Sequence, residues 1–252
     1  MRGRGSLSNI HVVKHRGCES MIVNSPEYMK IRETLNGFAV FDACSESEMA
    51  ELLRSSYTRK VPRGKHLYEA GENARDVYLL LDGGVKLCSE VPRQRPKVLQ
   101  LVYPLELFGM FDVLTDSDRD LSAIAMSASE ALVIDGEAFK TLLNNNARFA
   151  VSILRGWGTR FREFASWCFR FNHYGAREKV AAYLIEEFSV SGKTGNRAVV
   201  PTRRDIASLL GITPETLSRE LSYFRKRGWV SVDQKGALRV SDTESLGVLL
   251  GA

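Results

Sequence analysis

The chain has 252 residues, of which 44% are hydrophobic and 26% charged, and its formal net charge at pH 7 is +5. This composition is typical of a folded protein that buries one large core or two moderate ones. No apolar run approaches the roughly 18 residues that a membrane span requires, and the start lacks a signal peptide. The sequence therefore excludes membrane insertion and predicts a cytoplasmic protein.

The cysteines are scattered and form no CxxC pair. They are Cys18, Cys44, Cys88 and Cys168. In a reducing compartment this arrangement predicts free thiols, and it gives no support to a structural zinc site. No metal site is expected. The positive net charge is compatible with a polyanionic partner but does not identify one.

The N-terminal segment is basic, rich in Gly and Ser, and without an apolar period. Residues 1–25 are therefore predicted to form a flexible tail. A helix is expected at 45–56, because Ser45 can cap it and Glu48 stands three residues later, as in a capping box.

From residue 57 to residue 135 the chain consists of short alternating runs separated by Gly, Pro, Asp and Asn. This pattern predicts antiparallel strands with tight turns, including "LDGGV" at 81–85, where two glycines can take positive φ. About eight strands are expected to close into a roll, since closure removes exposed sheet edges. The roll would form a sensor domain at 26–143.

A long helix is predicted at about Ala147–Phe171, because apolar residues recur there at steps of three and four. The stripe consists of Phe149, Ile153, Trp157, Phe161, Phe164, Cys168 and Phe171. Such a stripe packs on its own domain or on a second copy, and its length and aromatic content favour a dimer seam within 144–174. Gly156 and Gly158 each weaken the helix by about 1 kcal/mol but would allow close approach of a partner backbone.

A Gly-containing break at 172–176 marks a domain boundary, and a third domain is expected at 175–252. Its most informative stretch, Pro201–Val230, is basic while its apolar residues keep helical spacing. Charge on a helix usually indicates only a solvated face. The stretch is long enough for two helices, and its function has to be inferred from the connection between them.

That connection has the spacing of a helix-turn-helix, which needs a small residue where the helices touch, a Gly at the corner and an apolar anchor. Ala207, Gly211 and Leu217 supply these three features. Thr213 can cap the second helix, and Pro214 then occupies its first position, where the missing N–H costs nothing.

On the second helix, Glu215, Ser218 and Arg219 fall on one face. These side chains can reach base edges in a major groove, with Arg at guanine, Glu at cytosine and Ser at either. The alternative is an exposed Glu215–Arg219 ion pair worth only tenths of a kcal/mol. The trio alone favours the ion pair, whereas the trio together with the turn, the caps and the basic surroundings favours DNA reading.

Two later runs, "WVSVD" and "ALRVSD", are separated by "QKG" and predict a hairpin that would make the domain a winged helix-turn-helix. Polar and basic residues around the motif can contact phosphates, which set register and supply affinity. These candidates are Thr202, Arg203, Thr213, Thr216, Arg225, Lys226 and Lys235.

A roll, a long helix and a winged helix-turn-helix in this order resemble the CRP/FNR superfamily of transcription regulators over residues 35–245. The resemblance is carried by "GENARDVYLLLDGGVKL" at 71–87, "LFGMFDVL" at 107–114 and "TRRDIASLLGITPETLSREL". It implies an α+β fold with a cyclic-nucleotide-binding-type β-roll, a dimerisation helix and a C-terminal DNA-binding domain. It also implies a homodimer, with double-stranded DNA and RNA polymerase as partners.

Within the superfamily, "PETLSR" is similar to the FNR and DNR type of recognition helix. The cAMP-receptor branch carries an Arg immediately before the Glu, where this chain has Pro214. The resemblance implies that Glu215, Ser218 and Arg219 read a TTGA-type half-site, repeated as a palindrome about one helical turn, roughly 34 Å, apart.

The sensor end departs from the best-known branches. FNR proteins hold an iron–sulfur cluster with a cysteine trio near the N-terminus, but this chain has only Cys18 there, so a four-cysteine cluster is not expected. Cyclic-nucleotide binders carry Gly-Glu and then Arg-Ser-Ala, whereas Met110 and Leu121 stand in place of the Glu and the Arg. Arg119 is close but out of register. Because a buried phosphate needs its arginine, cAMP is not expected either.

Three alternatives remain open for the roll: a haem, a small aromatic acid, or no ligand. A haem could use a histidine, although a lone His is more often only exposed or hydrogen-bonded; the candidates are His11, His15, His66 and His173. An aromatic carboxylate could pair with Arg119 or Arg160 beside aromatic side chains that could equally be core. The candidate effector pocket comprises Gly109, Met110, Arg119, Ser122, Trp157, Phe161 and Phe164.

The sequence thus predicts a homodimeric transcription regulator, an activator rather than a repressor. A small-molecule, gas or redox signal in the roll would set its DNA affinity. The alternative is a cyclic-nucleotide-binding regulatory module that does not act on DNA. No phosphate loop, GxSxG, HExxH or paired acid is apparent, so the chain is not expected to be an enzyme.

Overall fold

The computed structural model of the chain describes residues 14–15, 18–19, 25–36, 38–90, 96–194, 201–232 and 238–251. Within the segment predicted to be a flexible tail, two short strands, β1 (Lys14–His15) and β2 (Cys18–Glu19), pair in antiparallel fashion. Across the described ranges, no helix has both the length and the apolar character to cross a membrane.

Two helices and a 3₁₀ turn precede the roll. They are α1 (Pro26–Asn36), the turn (Phe41–Ala43) and α2 (Glu46–Arg54). The predicted capping box of α2 is confirmed, because Ser45 Oγ accepts from the backbone N–H of Glu48 at 3.3 Å and Glu48 accepts from the Ser45 N–H at 2.7 Å. The first helix was not predicted.

Within the described residues the roll contains eight strands, in agreement with the predicted number of about eight. They are β3 (Ser56–Val61), β4 (His66–Tyr68), β5 (Asp76–Asp82), β6 (Val85–Ser89), β7 (Lys97–Val102), β8 (Leu107–Phe108), β9 (Ser122–Ala125) and β10 (Ser129–Asp135). They form two four-stranded sheets, in the orders β3-β10-β5-β8 and β4-β9-β6-β7. Helix α3 (Met110–Leu114) follows β8, and α4 (Gly136–Asn145) follows β10.

The first of these sheets is buried on both faces. Tyr78 and Leu80 join a core between the two sheets, whereas Val77 and Leu79 join a second core built with the helices outside the roll. This explains why β5 reads as a nearly continuous apolar run rather than as an alternating one.

The turn between β5 and β6 contains Gly83 and Gly84, and its geometry requires glycine at the first of these positions. Gly83 has φ +88°, and a Cβ there would lie 2.4 Å from Ser129 Oγ. No side chain can occupy that space. Of the two glycines in this described turn, Gly83 is the one with positive φ, and the prediction of a left-handed glycine is confirmed there.

Helix α5 (Ala147–His173) confirms the predicted long helix and divides its apolar stripe. Phe149 and Ile153 are buried in the core that lies outside the roll. Further along, Phe161 and Phe164 are 54% and 57% exposed, so they do not belong to a core of this chain. The side chain of Phe171 lies outside the described part of the structure.

After a break at residues 174–175, the C-terminal segment builds a core of its own. Its elements are α6 (Ala176–Thr194), α7 (Arg203–Leu210), α8 (Pro214–Lys226), β11 (Val230–Val232), β12 (Leu238–Val240) and α9 (Thr243–Val248). Helix α7 also contacts the roll: Lys86 Nζ lies 2.5 Å from Asp205 Oδ1, and the Val98 N–H donates to Ser208 Oγ at 2.9 Å.

Candidate nucleic-acid interface

The corner between α7 and α8 has the predicted construction. Gly211 ends α7 in the left-handed region at φ +63°, and the N–H of Ile212 then donates to the carbonyl of Ala207 at 3.0 Å. Thr202 caps the start of α7 by accepting from the Asp205 N–H at 3.2 Å. The chain can therefore turn within a few residues without leaving the helix ends unsatisfied.

Helix α8 begins at the predicted cap. Thr213 Oγ1 accepts from the Thr216 N–H at 3.2 Å, and Pro214 occupies the first turn. The inward face of α7 and α8 is a compact apolar set, comprising Ile206, Ala207, Leu210, Leu217, Leu221 and Phe224. This packing fixes which face of α8 points outward.

We call Glu215, Ser218 and Arg219 the reading face of α8. Glu215 and Arg219 are exposed and Ser218 is half-buried, with 70% of the Arg219 side chain accessible. The structure thus brings the three predicted residues together on the side of α8 away from its core. Such a face can enter a major groove if the domain approaches a duplex.

One polar cluster behind the reading face was not predicted. Glu220 is 5% exposed; Arg177 Nε in α6 donates to its Oε2 at 2.8 Å, and Arg219 Nε donates to its Oε1 at 3.3 Å. The sequence did contain a sign of this cluster, because Glu220 is a charged residue within the apolar stripe of α8, three residues after Leu217 and four before Phe224. No local pattern could indicate Arg177, because it lies on another helix.

The candidate phosphate-contacting residues lie at helix ends. Thr202 and Arg203 stand at the start of α7; Thr213 and Thr216 stand at the start of α8, and helix N-termini favour anions. Arg225 and Lys226 are exposed in the last turn of α8. The predicted hairpin is confirmed by the pairing of β11 with β12, but Lys235 lies outside the described residues.

In the roll, the space beside Gly109 is occupied by Arg119. Its guanidinium donates to the Gly109 carbonyl and to the Asp76 carbonyl, each at 2.5 Å, and lies 3.3 Å from Asp112. A Cβ on Gly109 would come within 2.8 Å of Arg119 Nη1. Arg119 is 4% exposed, so it is an interior residue of the roll.

Aromatic side chains complete the surroundings of Arg119. Its guanidinium carbon lies 4.2 Å from the ring centre of Tyr68 and 5.6 Å from that of Tyr78, and Phe108 stacks on both rings. Burial raises the pKa of the Tyr68 hydroxyl far above its usual value and raises the pKa of Tyr78 to about 12. Both hydroxyls are therefore neutral in the physiological range.

The remaining candidate effector residues have contacts of their own in the structure. Met110 is buried in the core outside the roll, and Ser122 Oγ accepts from the Ala70 N–H at 2.9 Å. Trp157 instead contacts Phe111 of α3, with ring centres 5.6 Å apart. The more exposed Phe161 and Phe164 continue along the outer surface of α5, and Arg160 pairs with Glu106 at 3.3 Å.

The described histidines contact carboxylates, a backbone carbonyl and an aromatic ring. His66 stands between Glu69 and Glu90, at 3.7 and 3.5 Å, and His173 Nδ1 lies 2.8 Å from the Phe169 carbonyl. His11 and the side chain of His15 are outside the described residues. Within the described ranges, no group of three or more His, Cys, Asp or Glu residues could hold a metal ion.

The thiols of Cys44, which is partly buried, and Cys88, which is buried, are protonated at neutral pH. Burial, reinforced by Glu48, raises the pKa of Cys44 to about 11, and burial raises that of Cys88 to about 11. A thiol with so high a pKa is a poor nucleophile and metal ligand.

Two family models match the chain. A model described as a cyclic nucleotide-binding domain matches residues 58–146, and a model described as a Crp-like helix-turn-helix domain matches residues 178–249. The first match contains the roll and the second contains α7, α8 and the hairpin.

Curated relatives cover most of the chain at low identity. The CRP-like cAMP-activated global transcriptional regulator of Mycobacterium tuberculosis is 25% identical over 218 residues, which are 85% of this chain and 97% of that protein. The fumarate and nitrate reduction regulatory protein of Vibrio cholerae is 26% identical over 199 residues, 76% of this chain and 78% of that protein. Among solved structures, FixK2 from Bradyrhizobium japonicum has the same fold, with a TM-score of 0.68 at 20% identity over 77% of this chain and 96% of that one.

The fold and the site define a DNA-binding transcription regulator of the helix-turn-helix class with a cyclic-nucleotide-binding-type roll. The two matches, in this order along the chain, are those of a CRP/FNR-type regulator, and the chain's relatives include the fumarate and nitrate reduction regulatory protein of Vibrio cholerae. Those relatives are transcription regulators rather than enzymes, in agreement with the prediction that the chain is not an enzyme.

Proposed function

We propose that the protein is a homodimeric transcription activator that acts in the cytoplasm and reads a TTGA-type palindrome. Glu215, Ser218 and Arg219 contact base edges, and the residues at the ends of α7 and α8, together with Lys235, contact phosphates. The observation that carries this proposal is the reading face itself: three groove-reading residue types stand together on the solvent side of a capped helix. RNA polymerase is the expected protein partner of the DNA-bound dimer.

The dimer forms through α5 in this proposal. Leu154, Phe161 and Phe164 are each more than half exposed, at positions that share one side of the helix. A Cβ on Gly156 or Gly158 would meet nothing within 4 Å in the described chain, which leaves room for a second helix. A patch of this size on a helix between two domains is typical of a protein interface.

An effector or redox signal in the roll sets DNA affinity in this proposal, and α3 is the element that transmits it. Arg119 holds the Gly109 carbonyl at the start of α3, and Phe111 of α3 contacts Trp157 of α5. A signal that moves Arg119 would therefore change packing on the dimer helix. Because Arg119 and its aromatic neighbours fill this space, we expect no binding of cAMP; an absorption spectrum of anaerobically purified protein tests for haem.

The reading face is tested by Arg219→Ala. An arginine–guanine pair contributes about 1–3 kcal/mol of discrimination, so the variant should lose its preference for guanine at one position of each half-site. Selection from random duplexes, followed by fluorescence anisotropy on operator variants, measures this preference.

Lys226→Ala is the matched control, since it removes a charge from the last turn of the same helix, about two turns beyond Arg219. It should weaken all duplexes similarly and lower the salt slope by about one. A selection that returns no symmetric consensus, or an unchanged ranking of operators with Arg219→Ala, would contradict the proposal.

A further inference from the structure

We propose that Glu220 is a positioning residue that orients Arg219 for base reading; this inference rests on the proposed role of Arg219 at guanine. The Glu220 side chain is only 6% exposed. A buried carboxylate is costly unless charged donors satisfy its oxygens. Two arginines do so, and they lie on different helices.

Each carboxylate oxygen of Glu220 accepts from a different arginine. Arg177 of α6 donates from Nε to Oε2 at 2.8 Å, and Arg219 of α8 donates from Nε to Oε1 at 3.3 Å. The first bond links two helices within the domain. The second bond acts on a side chain that is 70% exposed and belongs to the reading face.

The bond from Arg219 Nε to Glu220 determines which nitrogens of Arg219 remain to contact a base. An arginine reads guanine through two N–H groups of its planar fork, which point at O6 and N7. With Nε directed to Glu220, the two terminal nitrogens form the pair that approaches the base. Restraining the side chain beforehand also reduces the rotamer freedom that is lost on binding.

The other arginine gives Glu220 a fixed support. The guanidinium carbon of Arg177 lies 3.8 Å from the centre of the Tyr223 ring, and that of Arg227 lies 4.7 Å from the same ring centre. Stacking between a guanidinium and an aromatic ring restricts both groups. Glu220 is therefore held from the side of α6 while it restrains Arg219 on the DNA side.

The test uses the full-length protein and two labelled duplexes. One carries the TTGA palindrome, and the other has the guanine pair of each half-site replaced by an A·T pair. Fluorescence anisotropy gives both affinities, and their ratio is the discrimination. Glu220→Gln removes the charge at nearly constant shape, and we expect it to lower the discrimination about tenfold with an unchanged salt slope.

Arg177→Gln is the matched control, because it breaks the link between α6 and α8 and leaves the contact between Glu220 and Arg219. It should lower the discrimination less than Glu220→Gln does, because the contact between Glu220 and Arg219 remains. If Arg177→Gln and Glu220→Gln lower discrimination to the same extent, Glu220 only joins the helices and the positioning role is wrong. Thermal melts verify that the variants fold. If Glu220→Gln does not fold, Glu220→Asp takes its place. Its side chain is one methylene shorter, and it should lose discrimination to the same extent.

Arg219→Ala distinguishes this inference from the function on which it rests. If Arg219→Ala leaves discrimination intact, base reading by Arg219 is wrong. If Arg219→Ala abolishes discrimination but Glu220→Gln and Glu220→Asp retain it, only the positioning role is overturned. In the Arg219→Ala background, Glu220→Gln should have no further effect on discrimination, because the two residues act as one unit.

Discussion

Arg119 shows how one charged residue can be accommodated inside the roll. It is buried among two aromatic rings, two backbone carbonyls and one carboxylate, so its charge is satisfied entirely within the roll. Its position in the sequence, close to the phosphate-binding register but outside it, gave only the expectation that a nucleotide would not bind. That it turns inward depends on Tyr68 and Tyr78, which come from other strands.

The same aromatic cluster predicts a decline in stability at high pH. Burial raises the pKa of Tyr78 from 10 in the unfolded chain to about 12 in the folded one. Below pH 10 the Tyr78 hydroxyl is protonated in both states, and the free energy of unfolding is unaffected by it. As pH rises from about 10 to about 12, the free energy of unfolding falls, because the hydroxyl ionises first in the unfolded chain. The free energy of unfolding, measured with urea, should fall by up to about 2 kcal/mol from this group.

Tyr78→Phe is the control for that decline, since it removes the hydroxyl and keeps the ring contacts with Tyr68 and Phe108. The fall in stability between pH 10 and pH 12 should become shallower in this variant. An identical pH profile for the two proteins would show that Tyr78 does not titrate differently in the folded state.

At the scale of elements, the corner between α7 and α8 is determined by local chemistry. Gly211 and the two threonine caps satisfy the helix ends within a few residues of each other. The corner glycine and the Thr213 cap can be read from a single short stretch, and for that reason they were predicted, whereas Thr202 was predicted only as a phosphate contact. By contrast, α1, α4 and α9 were not predicted, because their apolar faces have meaning only against the sheet or helices that cover them.

Gly211→Ala should destabilise the C-terminal domain by about 1 kcal/mol, because an L-residue at φ +63° is strained. Gly247→Ala in α9 is the matched control: a Cβ there meets nothing within 4 Å, and its φ lies outside the left-handed region. Urea unfolding followed by fluorescence compares the two variants. Equal stabilities would indicate that the corner tolerates a side chain.

At the scale of the whole molecule, the first and the later turns of α5 have different surroundings. Its first turns complete the core outside the roll through Phe149 and Ile153, and its later turns carry exposed aromatic residues. The C-terminal domain also contacts the roll through the Lys86–Asp205 ion pair, which places α7 beside β7. The two domains are thus joined by a helix and by a direct contact.

Phe161→Asp should convert the proposed dimer into a monomer, because a carboxylate would be buried in an apolar seam. The protomer should remain folded, since this side chain is 54% exposed within it. Sedimentation velocity measures the mass, and anisotropy should show a large loss of affinity for the palindrome. Val248→Asp, at an exposed apolar position on α9, should remain dimeric. A monomeric wild-type protein would contradict the proposed assembly.

The sequence by itself determined the features that depend on neighbours along the chain. The strand pattern of the roll, the long helix, the corner glycine, the caps and the reading face all arise from spacings of a few residues. These spacings have direct physical causes in helix periodicity, strand alternation and the φ range of glycine. They were sufficient for the fold class and for the residues proposed to contact DNA.

Only the tertiary structure decided the contacts between distant residues. Arg177 and Glu220 are 43 positions apart and meet because α6 packs on α8. The division of the α5 stripe into a buried and an exposed part likewise depends on where the core outside the roll ends. Helical periodicity assigns a residue to a face of its helix, whereas burial and charge pairing depend on what the fold brings against that face.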